Sequence, residues 1–376
     1  MPKIVMVDAL FPNPLFGAGF PRASQILNFL ANQDNTEIHF LALWEKGSIG
    51  RKKFLSLLPS NVQTTFNVNE RNIEKVLINK LKYADILWVS RLPIYKRIMS
   101  IREKYPDSFS HLKIIYDSEC IETLRAQLQS EISSSLIPDS EYEKLLQDEM
   151  TLALQADHVI AVSTSEQEVF LNHGCASAFV VGHKVNATQE LKPSEGRVGL
   201  LFVGRLWDEG SPNIDSINWF AEKCYPRLQR EDLVFHLVGA ITKSLSKKFR
   251  RAGFKVSGQI EDLQPVFDSA QLFVAPTRFA AGIPIKLLDA AAAGLPIIAT
   301  RLLCKQLGWD EDRDILVADT EEEFVNKIEM AMSDEVVWYS LQQNAHARVR
   351  QEYSDFAFQK SIKSTFALLC GGDEEI

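Results

Sequence analysis

Cysteine is scarce in the sequence, and its pattern excludes two kinds of small, cross-linked domain. The five cysteines, Cys120, Cys175, Cys224, Cys304 and Cys370, are odd in number and widely spaced, and none belongs to a CxxC pair. Disulfide frameworks and structural zinc sites need paired cysteines at close spacing. We therefore expect no structural metal and a reducing compartment, the cytoplasm.

Long hydrophobic runs are missing as well. The run IVMV near the amino terminus ends at Asp8, and the stretch 287–299 is interrupted by Asp289, Gly294 and Pro296. Both runs are too short for the apolar region of a signal peptide and far too short to span a bilayer. The sequence thus predicts a soluble protein without a targeting segment.

An excess of positive charge is the third absence. The chain has 41 Lys and Arg against 49 Asp and Glu, a net charge of −8, which argues against a general nucleic-acid binder. The charge is uneven, because residues 1–125 carry a net +5 and the rest carry −13. A basic amino-terminal surface could contact the inner face of an anionic membrane or an anionic acceptor. The alternative is that these charges only solvate surface helices.

What the sequence does contain is short β-branched runs that alternate with helical segments. Its 376 residues, 46% of them hydrophobic, suffice for two domains. Continuous apolar strands separated by helices are typical of parallel sheets covered on both faces. The longest predicted helix runs over residues 121–155. The predicted strands are residues 3–9, 37–43, 84–90, 112–118, 158–163, 178–182, 199–204, 233–239, 272–276, 296–300 and 314–318.

This pattern predicts an α/β fold of two doubly wound, Rossmann-like domains. A polar segment without apolar periodicity is the best linker candidate. We assign residues 1–185 to an acceptor-side domain, 186–197 to the linker, 198–352 to a donor domain, and 353–376 to a helix that crosses back to the first domain. Ligands of such sheets bind beyond the carboxyl ends of the strands, so two facing domains would form a central cleft.

The segment 276–300 has the richest chemistry. It predicts a strand end, a loop, a helix, a turn and a strand, with Gly282 allowing close approach of a ligand and Pro284 suited to a first helical turn. The free N–H groups and the dipole of such a helix attract phosphate. Lys286 lies in that first turn, where a cation is unfavourable unless an anion binds, and Asp289 on the same face suits a ribose diol. An ordinary βαβ turn is the alternative.

A series of motifs in the second half resembles a known family. In order they are LFVGR (201–205), SPN (211–213), SGQ (257–259), FVAPTR (273–278), KLLDA (286–290) and GLPIIAT (294–300). They are similar to the donor-binding half of retaining glycosyltransferases with the GT-B fold, glycosyltransferase family 4 (glycosyl transferases group 1) in particular. The first half resembles these enzymes more weakly, in a loop with Gly17 and Gly19 and in Tyr116-Asp117.

The resemblance implies transfer of a sugar from a nucleotide-sugar donor, UDP- or GDP-linked, to an acceptor hydroxyl, with retention of configuration and without a metal or other cofactor. The setting it implies is polysaccharide or glycolipid synthesis. It implies that Arg205 and Lys286 contact the diphosphate and that Asp289 contacts the ribose. The other donor-binding residues implied by position are Gly17, Gly19, Gly204, Gly258, Gln259, Ile260, Arg278, Ala281, Gly282, Ile283 and Pro284.

Acidic residues after the predicted strand 112–118 are further candidates. One of Asp117, Glu119 and Glu122 could position the acceptor hydroxyl, and we assign Asp117 and Glu122 to the catalytic set; the alternative is that they cap the long helix. His183 could contact a ligand, or simply pack. The acidic residues of 310–314 contain a formal DxD motif, for which a solvated turn is the favoured interpretation.

Departures from the family pattern motivate two other functions. Ala281 and Asp289 stand where the family has paired glutamates, and Glu122 stands where it often has histidine. The family usually has a second basic residue several positions after the one that matches Arg205, and this chain has none there. A catalytically impaired donor-binding or partner subunit is therefore one alternative. A sugar-nucleotide epimerase of the same fold is another.

Overall fold

A computed structural model describes the fold of most of the chain. The described residues are 2–13, 19–34, 36–43, 58–133, 135–228 and 233–369. They divide into two compact units. Unit 1 contains the described residues within Met1–Leu124, Ile137–His183 and Gln359–Ile376, and unit 2 contains those within Arg125–Leu136 and Lys184–Phe358.

The first sheet has seven parallel strands in the order β3-β2-β1-β4-β5-β6-β7. The strands are β1 (Lys3–Asp8), β2 (Glu37–Ala42), β3 (Val62–Thr65), β4 (Ile86–Ser90), β5 (Lys113–Asp117), β6 (His158–Ala161) and β7 (Ala178–Val180). The helices between them are α1 (Phe20–Ala31), α2 (Ile73–Leu81), α3 (Leu92–Lys104), α4 (Glu122–Ile132), α5 (Asp139–Ala153) and α6 (Thr164–Asn172). Central strands such as β4 are fully buried, as a sheet covered on both faces requires.

The second sheet has six parallel strands in the order β10-β9-β8-β11-β12-β13. The strands are β8 (Leu200–Val203), β9 (Phe235–Val238), β10 (Lys255–Ser257), β11 (Leu272–Ala275), β12 (Ile297–Ala299) and β13 (Leu316–Val317). The helices are α7 (Pro212–Trp219), α8 (Lys243–Arg251), α9 (Gln264–Ser269), α10 (Ile285–Ala292), α11 (Arg301–Leu307), α12 (Glu321–Ser333), α13 (Glu335–Glu352) and α14 (Asp355–Leu369). The two-domain α/β prediction is confirmed in its fold class by these two parallel sheets.

Both strands that the sequence failed to predict lie at sheet edges. These strands, β3 and β10, are short and only partly buried. An edge strand has one neighbour and faces more solvent, so its sequence carries a weak apolar signal. Two short helices, α6 and α11, were not predicted either.

The single helix expected over residues 121–155 is wrong. The structure has α4 and α5 instead, with Pro138 in extended backbone conformation immediately before α5. Proline has no N–H to donate and its ring clashes with the preceding turn, so it favours the start of a helix over its interior. In unit 2, a π-helical turn at Phe220–Cys224 directly follows α7.

Aromatic rings form the centre of the unit 2 core. Phe220 is completely buried and packs edge-on against Phe235, with ring centroids 5.0 Å apart, and against Phe324 at 6.2 Å. Burial of such a ring removes a large apolar area from water. None of the helices among the described residues has the length and apolar character needed to cross a membrane.

Phe220→Ala should lower the free energy of unfolding by about 3–5 kcal/mol, because it leaves a cavity among the rings. The matched control is Phe356→Ala in the same unit, where 78% of the side chain is exposed and the expected change is under about 0.5 kcal/mol. Urea denaturation followed by tryptophan fluorescence measures both. Equal losses in the two variants would contradict this account of the core.

Candidate functional site

The pairing of two central strands brings distant motifs together in unit 2. β8 and β11 are adjacent and parallel, with Leu200 opposite Leu272. Their carboxyl ends therefore lie at the same edge of the sheet. Gly204 and Arg205 follow β8 there, and the loop 276–284 follows β11 and leads into α10.

Lys286 lies in the first turn of α10 and has only neutral partners among the described residues. Its Nζ donates to Oδ1 of Asn213 at 2.5 Å and to Oγ1 of Thr277 at 3.4 Å. It also lies 4.9 Å from the centroid of the Phe202 ring, within range of a cation–π contact. Burial lowers the pKa of Lys286 to about 7, since removal from water disfavours the charged form. A positive charge here lacks a carboxylate to balance it.

Asn213 fixes the position of Lys286 relative to the loop after β8. Its Nδ2 donates to the carbonyl oxygen of Arg205 at 3.1 Å, while its Oδ1 accepts from Lys286. Ser211 caps α7 by accepting from the backbone N–H of Ile214, which places Asn213 in the first turn of that helix. The N-cap thus sets the orientation of the amide that holds the cation.

Thr277 ties the loop after β11 to its neighbours. Its Oγ1 lies 3.2 Å from Oγ of Ser216, and its carbonyl oxygen accepts from Oγ1 of Thr300 at 2.6 Å. Thr277 is buried. Hydroxyl groups from α7 and from the residue after β12 therefore hold the start of this loop in place.

Asp289 follows Lys286 by one turn but does not pair with it. Neither of its carboxylate oxygens has a hydrogen-bond or ion-pair partner among the described residues. Burial raises the pKa of Asp289 to about 7, because a desolvated carboxylate is costly without a partner. The carboxylate is thus free to accept hydrogen bonds from a ligand.

Glycines allow the backbone loops at this edge to approach closely. A Cβ on Gly239, whose φ is 137°, would lie 2.1 Å from the carbonyl oxygen of Gly204. A Cβ on Gly204 would lie 3.0 Å from Nδ2 of Asn213. The N–H of Gly239 also donates to the carbonyl oxygen of Gly258 at 3.2 Å. The loops after β8, β9 and β10 are therefore in direct contact through their backbones.

The two arginines predicted for this site differ in how their charge is balanced. Arg278 donates from Nε and Nη2 to the two carboxylate oxygens of Asp215, at 3.0 and 2.5 Å. Arg205 is 54% exposed, and its Nη2 lies 3.3 Å from Oδ2 of Asp208. The bidentate pair anchors the loop after β11 to α7, whereas the exposed pair is weak and easily exchanged. A donor contact of Arg278 stays a prediction.

The remaining predicted donor-binding residues fall into three places. Ala281, Gly282, Ile283 and Pro284 form the half-buried to buried loop before α10, and Gly282 has φ 77°. Gly258, Gln259 and Ile260 follow β10 with exposed or half-buried side chains. Gly19 immediately precedes α1 in unit 1. Gly17 lies outside the described residues.

In unit 1, buried charges meet where β1, β4 and β5 end. We call Asp8, Arg22, Arg91, Asp117 and Glu119 the ionic cluster. Nη1 of Arg22 lies 2.8 Å from Oδ1 of Asp117 and 3.0 Å from Oε1 of Glu119. Nε of Arg91 donates to Oδ1 of Asp8 at 2.8 Å. Asp117, one of the predicted catalytic residues, is therefore buried and ion-paired.

Strain and shifted acidity coincide in the ionic cluster. Arg91 and Glu119 have positive φ values of 72° and 61°, a conformation that costs about 1–3 kcal/mol for a residue with a side chain. Burial raises the pKa of Glu119 to about 7 although Arg22 and Arg91 oppose this shift, and it raises the pKa of Asp8 to about 6. A Cβ on Gly19 would lie 1.4 Å from Oε2 of Glu119, so any larger residue there would displace this carboxylate.

Sequence reasoning missed Asp8, Arg22 and Arg91. Arg22 lies on the apolar face of α1, one turn before Ile26, and both are buried. A basic residue at a core position of an amphipathic helix was the available signal, because such a charge needs a buried partner.

The cap of α4 was also missed. Glu149 of α5 accepts from the backbone N–H groups of Glu122 and Thr123, at 3.0 and 2.9 Å. The capping carboxylate described for α4 thus comes from the following helix, α5. The predicted catalytic role of Glu122 stays a prediction.

Two of the other polar candidates, His183 and Asp314, are buried. His183 is buried, and burial with nearby Arg22 lowers its pKa to about 3. Asp314 of the DxD segment is buried and accepts from Nε of Arg348 at 2.8 Å, so that segment is not simply a solvated turn. No group of three potential metal ligands occurs in the described part of the chain.

A family model and a curated relative match parts of the chain. Residues 197–334 match the family model described as glycosyl transferases group 1. A curated relative, a 44.6 kDa protein of the cps region of Klebsiella pneumoniae, is 24% identical over 140 residues, which cover 34% of this chain and 36% of the relative. The match thus spans about a third of that relative's length.

Solved structures resemble nearly the whole chain. Anabaena HepE in complex with UDP and glucose has a TM-score of 0.68 at 16% identity and covers 98% of this chain and 100% of its own. Sucrose-phosphate synthase from Thermosynechococcus elongatus has a TM-score of 0.71 at 13% identity, with coverages of 99% and 100%. At these identities the likeness shows the fold, that of GT-B glycosyltransferases.

Glu119→Gln should weaken the pH dependence of stability between about pH 4.5 and 7. Because the folded state holds the proton of Glu119 up to about pH 7 whereas an unfolded glutamate loses it near about 4.3, the wild-type stability contribution is present at low pH and lost as pH rises. Glutamine has no proton that titrates in this pH range, so the variant lacks this contribution. Urea midpoints measured across that range test the change in slope.

Glu74→Gln is the control for this experiment. Its pKa lies below the usual value, chiefly because Lys104 donates to it, so both folded and unfolded states are ionised over most of the range. The slope should stay as in the wild type. An unaltered slope in Glu119→Gln would contradict the raised pKa.

Proposed function

We propose, on the premise that residues 197–334 belong to the family of glycosyl transferases group 1, that the protein transfers a sugar from a nucleoside-diphosphate sugar to an acceptor hydroxyl. One observation carries the proposal. Lys286 places a cation with only neutral partners among the described residues in the first turn of α10. Such a cation at the amino-terminal end of a helix, where the helix dipole is also positive, attracts a phosphate group.

The reaction that we propose uses this charge in its transition state. The bond between the sugar C1 and the diphosphate oxygen breaks, the acceptor oxygen bonds to C1 with retention of configuration, and the acceptor proton passes to the departing phosphate. Negative charge grows on the diphosphate as it leaves. Lys286, Arg205 and the N–H groups of α10 stabilise that charge without a metal ion, by preorganised electrostatics.

A UDP-sugar is the proposed donor. HepE, which shares the fold, has been crystallised with UDP-glucose, and Asp289 offers unpaired carboxylate oxygens to a ribose diol. Gly258, Gln259 and Ile260 form an accessible backbone segment suited to a base. The proposed acceptor is a glycan or a glycolipid. In unit 1, we assign Asp117 a positioning role through its ion pair with Arg22.

Lys286→Ala should weaken UDP binding by about tenfold or more, because a charge-assisted hydrogen bond to phosphate is lost. Isothermal titration calorimetry measures the affinity, and circular dichroism checks folding. Lys305→Ala, an exposed lysine of α11 in the same unit, is the charge-matched control and should bind UDP as the wild type does.

Two results would count against the proposal. If Lys286→Ala binds UDP with wild-type affinity, α10 does not form the phosphate site. UDP binding that depends on Lys286, without sugar transfer to any glycan or lipid acceptor, would favour a donor-binding subunit instead.

UDP-glucose binding should weaken as pH rises from about 6 to 8.5, by up to about tenfold per unit above the pKa of Lys286. In the ligand-free protein, burial lowers the pKa of Lys286 to about 7. Only the protonated form of Lys286 attracts the diphosphate. Ionisation of Asp289, whose pKa is also raised to about 7, strengthens its proposed contact with the ribose and therefore partly offsets this loss. Calorimetry in buffers of different ionisation enthalpy counts the protons taken up. A pH-independent affinity would contradict this assignment.

A further inference from the structure

A second, basic cavity lies in unit 2 beside α8 and β10. It measures about 510 Å³, and its lining includes the four cations Lys243, Lys247, Arg250 and Arg251. No acidic residue is among the described residues that line it. The cavity is separate from the contacts of Lys286, and it includes only Gly258 of the predicted donor segment.

Most of these cations have no partner. Lys243, Lys247 and Arg251 are exposed, and no described residue pairs with them through an ion pair or side-chain hydrogen bond. Only Arg250 is engaged, through the carbonyl oxygen of Val256 and Oγ of Ser246. Lys248, which does not line the cavity, is different: its Nζ lies 2.7 Å from Oδ1 of Asn218 and 3.4 Å from Oε1 of Glu222.

This arrangement is unfavourable for the helix itself. Lys243, Lys247 and Arg251 are spaced four residues apart, so like charges lie on one face and repel each other. Lys243 also lies in the first turn, where the helix dipole opposes a cation. Arg251 lies in the last turn, where the dipole favours a cation. Fold stability gives no such reason for Lys243 and Lys247, whereas a bound anion would balance all three.

The dimensions and the packing define the kind of anion. Residues four apart on a helix are about 6 Å apart along its axis, a spacing that several linked phosphate groups can bridge. The volume is that of an ordinary small-molecule site. The apolar residues of α8 are not available to a membrane, because Phe249 is fully buried and Leu245 packs against the core.

We propose that the α8 cavity binds a soluble anion carrying two or more phosphate groups, at a site additional to the proposed donor site. Charge-assisted hydrogen bonds from Lys243, Lys247 and Arg251 hold the phosphates.

Inorganic tripolyphosphate is the probe, with calorimetry on the full chain. The double variant Lys247→Ala/Arg251→Ala should weaken one class of tripolyphosphate site by about tenfold or more and leave UDP affinity unchanged. Lys248→Ala, which removes one positive charge from the same helix outside the cavity, should alter tripolyphosphate affinity less than about twofold. Lys286→Ala should weaken UDP binding and leave tripolyphosphate binding at the Lys247-dependent site unchanged. Failure of one proposal therefore does not imply failure of the other.

Thermal unfolding supplies a second readout. Without ligand, the double variant should be as stable as the wild type or slightly more stable, because repulsion is relieved. Tripolyphosphate should raise the melting temperature of the wild type more than that of the double variant. The proposal is overturned if the double variant and Lys248→Ala bind tripolyphosphate equally. It is also overturned if vesicles of phosphatidylglycerol, but not tripolyphosphate, bind through Lys247 and Arg251.

Discussion

The hydrogen bond from Lys286 to Asn213 joins the elements on which the site in unit 2 depends. It connects the first turn of α10 to the first turn of α7, and the same amide holds the carbonyl group of Arg205 after β8. Thr277 adds the loop after β11. Because every partner is neutral, the bond positions the ammonium group without cancelling its charge. The cation stays available to an anion, which is the physical basis of the proposed donor site.

In unit 1, buried cations are paired with carboxylates, unlike Lys286. Arg22 and Arg91 are paired with Asp8, Asp117 and Glu119 at the carboxyl edge of the sheet. The positive and negative charges of the ionic cluster are nearly balanced, and the surrounding structure holds Arg91 and Glu119 in their strained backbone conformation. Buried pairs of this kind contribute little net stability but make removal of one partner very unfavourable. We therefore interpret the cluster as a device that fixes the start of α1 and the segment after β5, and not as a site open to an anion.

A third arrangement of charge occurs on α8, where Lys243, Lys247 and Arg251 are exposed and have no ion-pair partner among the described residues. The three patterns share one chain and one type of sheet, so the fold alone does not decide them. What differs is whether a carboxylate lies within reach: Asp117 lies beside Arg22, neutral groups surround Lys286, and no acidic residue among those described lines the cavity with Lys247. Local side-chain partners thus determine whether a cation is structural or available to a ligand.

The sequence by itself determined the two parallel sheets, most of their strands and the loop before α10, because buried strands and helix starts have strong local signals. It also singled out Lys286, in a predicted first turn, and Asp289, one turn further along the same face of the helix. Only the tertiary structure decided that Asn213 holds Lys286, that Arg278 is committed to Asp215, and that Glu149 caps α4. These contacts join residues that are 26 to 73 positions apart. Periodicity reports whether a residue faces the core, but partners so distant in the chain are set by the packing of elements, which no local pattern encodes.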